Sequence, residues 1–377
     1  MEKIPLSKPY IDKEDIQGVV EVLKSGQLCL GPKTQEFEKK FAAYVQRKHG
    51  IAVNSGTSAL HLCVEATGLK KGNEAITTPL SFIASSNCIL YRDAKPVFAD
   101  IDEKTWNIDP EKISEKITKK TKAILPVHLF CQPCDMDPIM KAAEENSLAV
   151  IEDSCEVIGA EYKKRKAGSF GDLSVFSFYP NKQMTTGEGG IIVTDNEAMA
   201  KMCDSLRNQG RAEMTRGGDN WLSHDKIGYN FRLSDMACSL GITQLKKIDF
   251  LINKRNEAVM QYKKLLKKID GITMQEISPN TTRTSQFVFV VKADETISRD
   301  KLINCLTEKG IPSRPYFPAL HLQPLYKKMF GYKEGDYPIA EAVSRQTFSL
   351  PFFTEISSGQ IETVCEALQK AVSGASK

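Results

Sequence analysis

The sequence predicts an α/β fold: a large domain on a mostly parallel sheet, followed by a smaller α+β C-terminal domain. Three observations point there. Through the first two thirds of the chain, short β-rich runs alternate with segments of helical spacing, the pattern of a sheet covered on both faces. A long, interrupted helical stretch from near Leu233 to about Ile269 then separates these units from a second group of strands and helices. Finally, 377 residues are more than one ordinary core holds. The large domain is expected over residues 1–248 and the small one over 249–377, with the N-terminal arm packing on the small domain.

Ile51-Ala52-Val53 is the first apolar run; it ends in Asn54-Ser55-Gly56-Thr57-Ser58, and ALHLCVEAT follows with helical spacing. The run from Ala75 to Thr78 opens the next unit and SFIASSNCILYR is its helix. Strands follow at Pro96 to Ala99, Ala123 to Val127 and Leu148 to Ile151, the last preceded by a helix from about Asp135. After Gly168 the rhythm changes. Leu173 to Phe178 and Ile191 to Thr194 are separated only by a loop and are expected to pair antiparallel. Beyond the long helical stretch, Gln286 to Val291 reads as a strand, Arg299 to Lys309 as a helix and Gly359 to Val372 as a terminal helix.

Composition narrows the function. With 41% hydrophobic and 26% charged residues, the chain is an ordinary globular protein. A net charge of +4 is too small for a nucleic-acid binder, and the run Lys163-Lys164-Arg165-Lys166 reads as a solvated turn. The opening MEKIPLSKPYIDKEDI carries acids and no apolar run, and no stretch of about 18 apolar residues exists, so neither export nor a membrane is expected. The ten cysteines then read as reduced thiols in a cytoplasm. Cys131 and Cys134 form a CxxC pair without two further ligands at matching spacing, so no metal is expected.

Ligands of parallel sheets bind beyond the carboxyl ends of strands, and three such ends carry suggestive groups. Ser55-Gly56-Thr57-Ser58 puts free amides and hydroxyls at a helix start, an anion site, although alone it is more often a simple N-cap. Glu152-Asp153 ends an apolar run; a buried carboxylate there needs a cationic partner, which a protonated pyridine nitrogen would supply. FSFYPNK places Lys182 close behind an aromatic strand, where burial frees an amine to act as a nucleophile, and TTGEGG after it lets the backbone pass close to a planar ligand. A phosphate cradle, an acid for a ring nitrogen and a lysine for an imine are together the needs of pyridoxal phosphate (PLP).

The chain resembles the DegT/StrS-type sugar aminotransferases, PLP enzymes of the fold type I, aspartate-aminotransferase-like group. The resemblance runs through IPLSKPYIDKEDI, SGQLCLGPKTQEFE, AVNSGTSALHL, PVHLFCQPCDM, IEDSCEVIGA, FSFYPNKQMTTGEGGIIVT, GYNFRLSDMACSLG and RPYFPALHLQPLY. It implies that Lys182 bonds to PLP and shuttles a proton, that Asp153 pairs with the pyridine nitrogen, and that Phe82 stacks on the ring. Thr57, Ser58 and Ser177 would hold the phosphate, and Asn230 would reach the phosphate of the partner subunit in a homodimer. Residues Trp221 to Arg232 are rich in aromatic and polar groups, as an interface loop would be. Glu156 stands near the cofactor's phenolic oxygen, where glutamine or histidine is frequent; Tyr316 and His321 stand where the family shapes its sugar pocket. The implied activity moves an amino group from L-glutamate to a ketone, carbon 4 in the family's commonest acceptors, of a nucleotide-linked deoxysugar. Alternatives are a sugar dehydratase of the same fold, disfavoured because such enzymes carry histidine in place of Lys182, amination of a cyclitol or other small ketone, and a PLP-binding regulator without catalysis.

Overall fold

A computed structural model describes residues 4–212 and 222–374; Trp221 lies outside them. Seven strands form the larger sheet: β1 (His49–Val53), β2 (Glu74–Thr77), β3 (Lys95–Phe98), β4 (Thr121–Leu125), β5 (Ala149–Asp153), β6 (Leu173–Ser177) and β7 (Gly190–Thr194). Their order across the sheet is β1-β7-β6-β5-β4-β2-β3. β7 runs antiparallel to both its neighbours and every other neighbouring pair is parallel. The antiparallel pairing expected after Gly168 is that of β6 with β7, with Ser177 opposite Gly190. β7 is buried along its whole length, as its unbroken apolar sequence requires of a strand covered on both faces.

One face of the sheet is covered by the helices Gly56–Ala66, Ala84–Leu90 and Glu197–Arg207, which bury Leu60, Cys63, Cys88 and Leu206 against β-strand side chains such as Val53 and Val175. The opposite face carries Pro32–Tyr44 and Asp235–Lys246; Phe41 meets Phe176 and Phe178 edge-on, with ring centroids 5.1 and 5.3 Å away. The long helical stretch is two helices, Asp235–Lys246 and Ile248–Leu266. The second spans two cores. Ile248, Leu251 and Ile252 pack under the large sheet, whereas Ala258, Val259, Tyr262 and Leu266 join a second core. That core lies on a four-stranded antiparallel sheet, Ile272–Thr273, Phe289–Ala293, Thr347–Leu350 and Arg314–Pro315 in spatial order, backed by Arg299–Glu308 and Ser358–Gly374. Ile4 is part of this core and the Leu6 carbonyl accepts the Phe352 N–H at 2.9 Å, so the N-terminal arm lies against it.

Two features were not legible in the pattern. The helices Lys13–Ser25 and Pro32–Tyr44 precede the first strand, and a small sheet joins Thr281–Arg283, Glu161–Tyr162 and Arg165–Lys166. The basic run supplies the tight turn of that sheet, with Lys163 and Lys164 exposed at φ 47° and 66°.

Gly190 opens β7 against the turn that follows β1. A Cβ on it would stand 2.6 Å from the carbonyl carbon and oxygen of Ser55 and 2.8 Å from the Gly56 nitrogen. Those are backbone atoms, which cannot swing aside as a side chain can. Gly190→Ala is therefore expected to destabilise the protein by about 1–3 kcal/mol, read as a lowered thermal midpoint; an unchanged midpoint would mean that the turn gives way freely.

Candidate active site

β1, β5 and β6 run in one direction, so their C-terminal ends share one edge of the sheet. A cavity of ≈ 680 Å³ opens there. The end of β1 contributes Ser55, Gly56 and Thr57; β5 contributes Asp153 and, just beyond, Cys155 and Glu156; β6 contributes Ser177, followed by Tyr179, Asn181 and Lys182. Phe82 and Ser85 line it from the segment after β2, and Tyr316 and Phe317 from the C-terminal part of the chain.

Asp153 is 4% exposed. Its Oδ2 accepts the Ser85 hydroxyl at 2.7 Å and its Oδ1 the Cys155 N–H at 3.2 Å. The first turn of the Gly56–Ala66 helix borders the cavity through Gly56 and Thr57, with Ser177 beside them. Lys182 comes from the loop after β6, its backbone N–H bonded to the Tyr179 carbonyl at 2.9 Å. Its Nζ lies 3.8 Å from Glu156 Oε1 and 3.9 Å from the centre of the Phe287 ring. Glu156 Oε2 accepts the Phe130 N–H at 2.8 Å. Phe82 is 57% exposed at the cavity, 6.4 Å from Phe317 between ring centroids.

Two residues expected at the cavity do not line it. Ser58 does not line the cavity: its hydroxyl donates to Asn54 Oδ1 at 2.6 Å and lies 2.9 Å from Ser55 Oγ, which caps the helix, and Ser55 and Thr57 line the wall instead. His321 is fully buried, 3.0 Å from Glu341 and among the rings of Phe98, Tyr332 and Tyr337; a short turn over Leu320–Leu322 directs it inward, away from the cavity that Tyr316 lines. Asn230, expected at the partner subunit's phosphate, is exposed and does not line the cavity of its own chain. Sequence reasoning missed Ser85 and Glu188; the latter could have been noticed inside TTGEGG, whereas nothing marks Ser85 among the serines around it.

The residues present fit pyridoxal phosphate. Asp153 is a nearly buried carboxylate that forms no ion pair among the described residues, and a protonated ring nitrogen would supply the missing charge. A helix N-terminus suits a phosphate, and Lys182 stands on the same cavity. Sheet order and cavity together define a fold type I PLP-dependent transferase, and the comparisons with known proteins agree. The DegT/DnrJ/EryC1/StrS aminotransferase family matches residues 9–369. The spore coat polysaccharide biosynthesis protein SpsC of Bacillus subtilis (strain 168) is 40% identical over 99% of this chain and 98% of its own. A GDP-perosamine synthase of Escherichia coli O157:H7 is 36% identical over 98% and 99%. The structure of Helicobacter pylori PseC, an aminotransferase involved in the biosynthesis of pseudoaminic acid, superposes with a TM-score of 0.93 at 29% identity, covering 99% of this chain and 100% of that one. The chain belongs to the DegT/DnrJ/EryC1/StrS aminotransferase family and is a PLP-dependent aminotransferase. Among the described residues no helix is long and apolar enough to cross a membrane.

Burial pushes the Glu156 carboxyl up from its ordinary value of 4.5 to about 7, against the opposing effects of Lys182 and the Phe130 N–H. Between those values the folded protein keeps a proton that the unfolded chain has released. Its contribution to stability is therefore fully present below pH 4.5 and is lost as pH rises through 7. Glu156→Gln removes the titrating group, so the thermal midpoint of the cofactor-free variant should gain on wild type as pH rises across that window. Parallel midpoint curves would mean that Glu156 ionises as an ordinary carboxylic acid.

Proposed function

We propose that the enzyme moves an amino group from L-glutamate to a ketone, at carbon 4, of a nucleotide-linked deoxysugar. The observation that carries this reading is the unpaired, buried Asp153 facing one cavity with Lys182 and a helix N-terminus. The sugar is supported by the relatives, whose names speak of perosamine, pseudoaminic acid and a coat polysaccharide. In this reading the chain divides into units 1–248 and 249–377, and its ten free thiols suit a cytoplasmic setting.

Bound in the cavity, PLP supplies an electron sink and carries the amino group between the two substrates. The chain's own residues do the rest. Thr57, Ser177 and the first amides of the Gly56–Ala66 helix hold the phosphate. Asp153, kept in place by Ser85 and the Cys155 N–H, would hold a proton on the ring nitrogen. Phe82 would cover one ring face, and Lys182 would bind the cofactor and move a proton at the substrate carbon. Glu156 stands 3.8 Å from that amine and would lie near the phenolic oxygen, and Tyr316, which lines the cavity, would border the sugar.

The reading is tested by incubating the holoenzyme with glutamate and a panel of nucleotide-linked keto sugars, with products read by mass spectrometry. An amino sugar should form, and Lys182→Ala should abolish it while leaving the thermal midpoint near that of wild type, because a loop lysine contributes little to a core. Turnover close to normal in the variant would remove Lys182 from the chemistry; amination of small ketones alone would replace the sugar.

The reading includes a two-fold dimer in which Asn230, exposed and outside its own cavity, reaches the partner's phosphate site. Subunits carrying Lys182→Ala and Asn230→Asp should each be nearly inactive, the aspartate repelling the phosphate. After random exchange, about half the dimers are hybrids with one sound site, so activity should return to roughly a quarter of wild type. If both residues serve the same subunit's site, mixing restores nothing.

A further inference from the structure

Arg255 is a charged side chain in a place where charge is costly. It lies on the Ile248–Leu266 helix and is 1% exposed. Among the described residues it has no acidic partner, and its Nε has no hydrogen-bond partner. Burial alone lowers its affinity for a proton, to about 10. An unpaired buried cation costs several kcal/mol unless its hydrogen bonds repay it, and an apolar residue of similar volume would fill the same space without that cost.

Its two bonds explain the expense. Nη2 donates to the backbone carbonyl of Lys182 at 3.1 Å, and Nη1 to that of Phe287 at 3.1 Å. Phe287 is the residue whose ring lies 3.9 Å from the Lys182 amine. One rigid fork thus fixes both ends of the lysine: the peptide from which the side chain leaves, and the ring under its tip. Gln183 adds a parallel tie, its Nε2 donating to Ser285 O at 2.9 Å and to Glu156 O at 2.8 Å. The segment from Ser285 to Phe287 leads into Phe289–Ala293 of the small sheet, and the guanidinium stands 5.5 Å from the ring of Phe352 in the C-terminal core.

We propose that Arg255 is a positioning residue for Lys182: by bonding the carbonyls of Lys182 and Phe287 together, it sets where the reacting amine stands and fixes it to the C-terminal part of the chain. This rests on the reading that Lys182 bonds to the cofactor. A misplacement on the order of 1 Å at a reacting atom costs about a hundredfold in rate, so the tie is worth more to turnover than to substrate affinity.

The test uses the holoenzyme and two variants, Arg255→Met, which removes charge and donors but keeps bulk, and Arg255→Lys, which keeps the charge but can serve one carbonyl at a time. Each is reduced with borohydride in excess pyridoxal phosphate, and the modified lysine is mapped and quantified by peptide mass spectrometry beside steady-state kinetics. Folded Arg255→Met should lose about tenfold or more in kcat with KM for glutamate changed less than about threefold. It should also show slower capture at Lys182, and Arg255→Lys should fall between it and wild type. A folded variant with wild-type kcat and capture rate overturns the proposal. So does loss of soluble protein in both variants, which would make Arg255 a residue of the fold alone. Capture at another lysine in the wild-type enzyme would instead overturn the reading on which the proposal stands.

Discussion

The cavity end of the large sheet depends on a buried carboxylate that takes no part in the cavity. Glu152 is fully buried in β5. Its Oε1 accepts the N–H groups of Phe170 and Gly171 and the Ser174 hydroxyl at 2.7–2.9 Å; its Oε2 accepts the Gly168 N–H at 2.9 Å and faces His128 Nε2 at 3.0 Å. His128 Nδ1 accepts the Cys134 N–H at 3.0 Å, which leaves Nε2 as the nitrogen that donates to Glu152. Burial pushes this carboxyl up, but the His128 hydrogen bond and the Gly171 amide outweigh it and hold the group below its ordinary value. The loop after β4, the end of β5 and the turn entering β6 are therefore fastened at one point. Neighbouring side chains on a strand face opposite ways, so fastening Glu152 behind the sheet aims Asp153 at the cavity.

The strands were legible because a sheet covered on both faces writes itself as short apolar runs ended by turn residues. Ala75, Ile151 and Ile192 have little choice of environment, and their runs are β2, β5 and β7. What could not be read was geometry set by partners far away in sequence. SFIASSNCILYR has one continuous helical pattern, yet the helix spans only Ala84–Leu90, and Phe82 stays outside it at the cavity. Ser58 looked like a phosphate hydroxyl, but a local bond to Asn54 competes for it. His321 sits five residues beyond Tyr316, and only the fold shows that Glu341 and three aromatic rings draw it away. Arg255 gave no signal, since a basic residue in a helix bearing Lys254, Lys263 and Lys264 reads as solvated; only its partners 32 and 73 residues away distinguish it.

Asp153 and Glu156 show how the same functional group is given two characters three residues apart. Asp153 receives two hydrogen bonds and opens on a space that suits a cation. Glu156 receives one, from the Phe130 N–H, and burial moves its carboxyl up to about 7. The difference lies in what surrounds each carboxyl. Lys182 stands beside the second acid. The Lys182 amine thus stands beside the carboxyl whose ionisation burial moves to about 7, while Asp153, at the end of β5, is fastened by the Ser85 hydroxyl and the Cys155 N–H. The sheet edge supplies the place, but the difference in character comes from what lies behind each residue: Ser85 and the turn after β5 for Asp153, Phe130 for Glu156, and the Arg255 fork for Lys182.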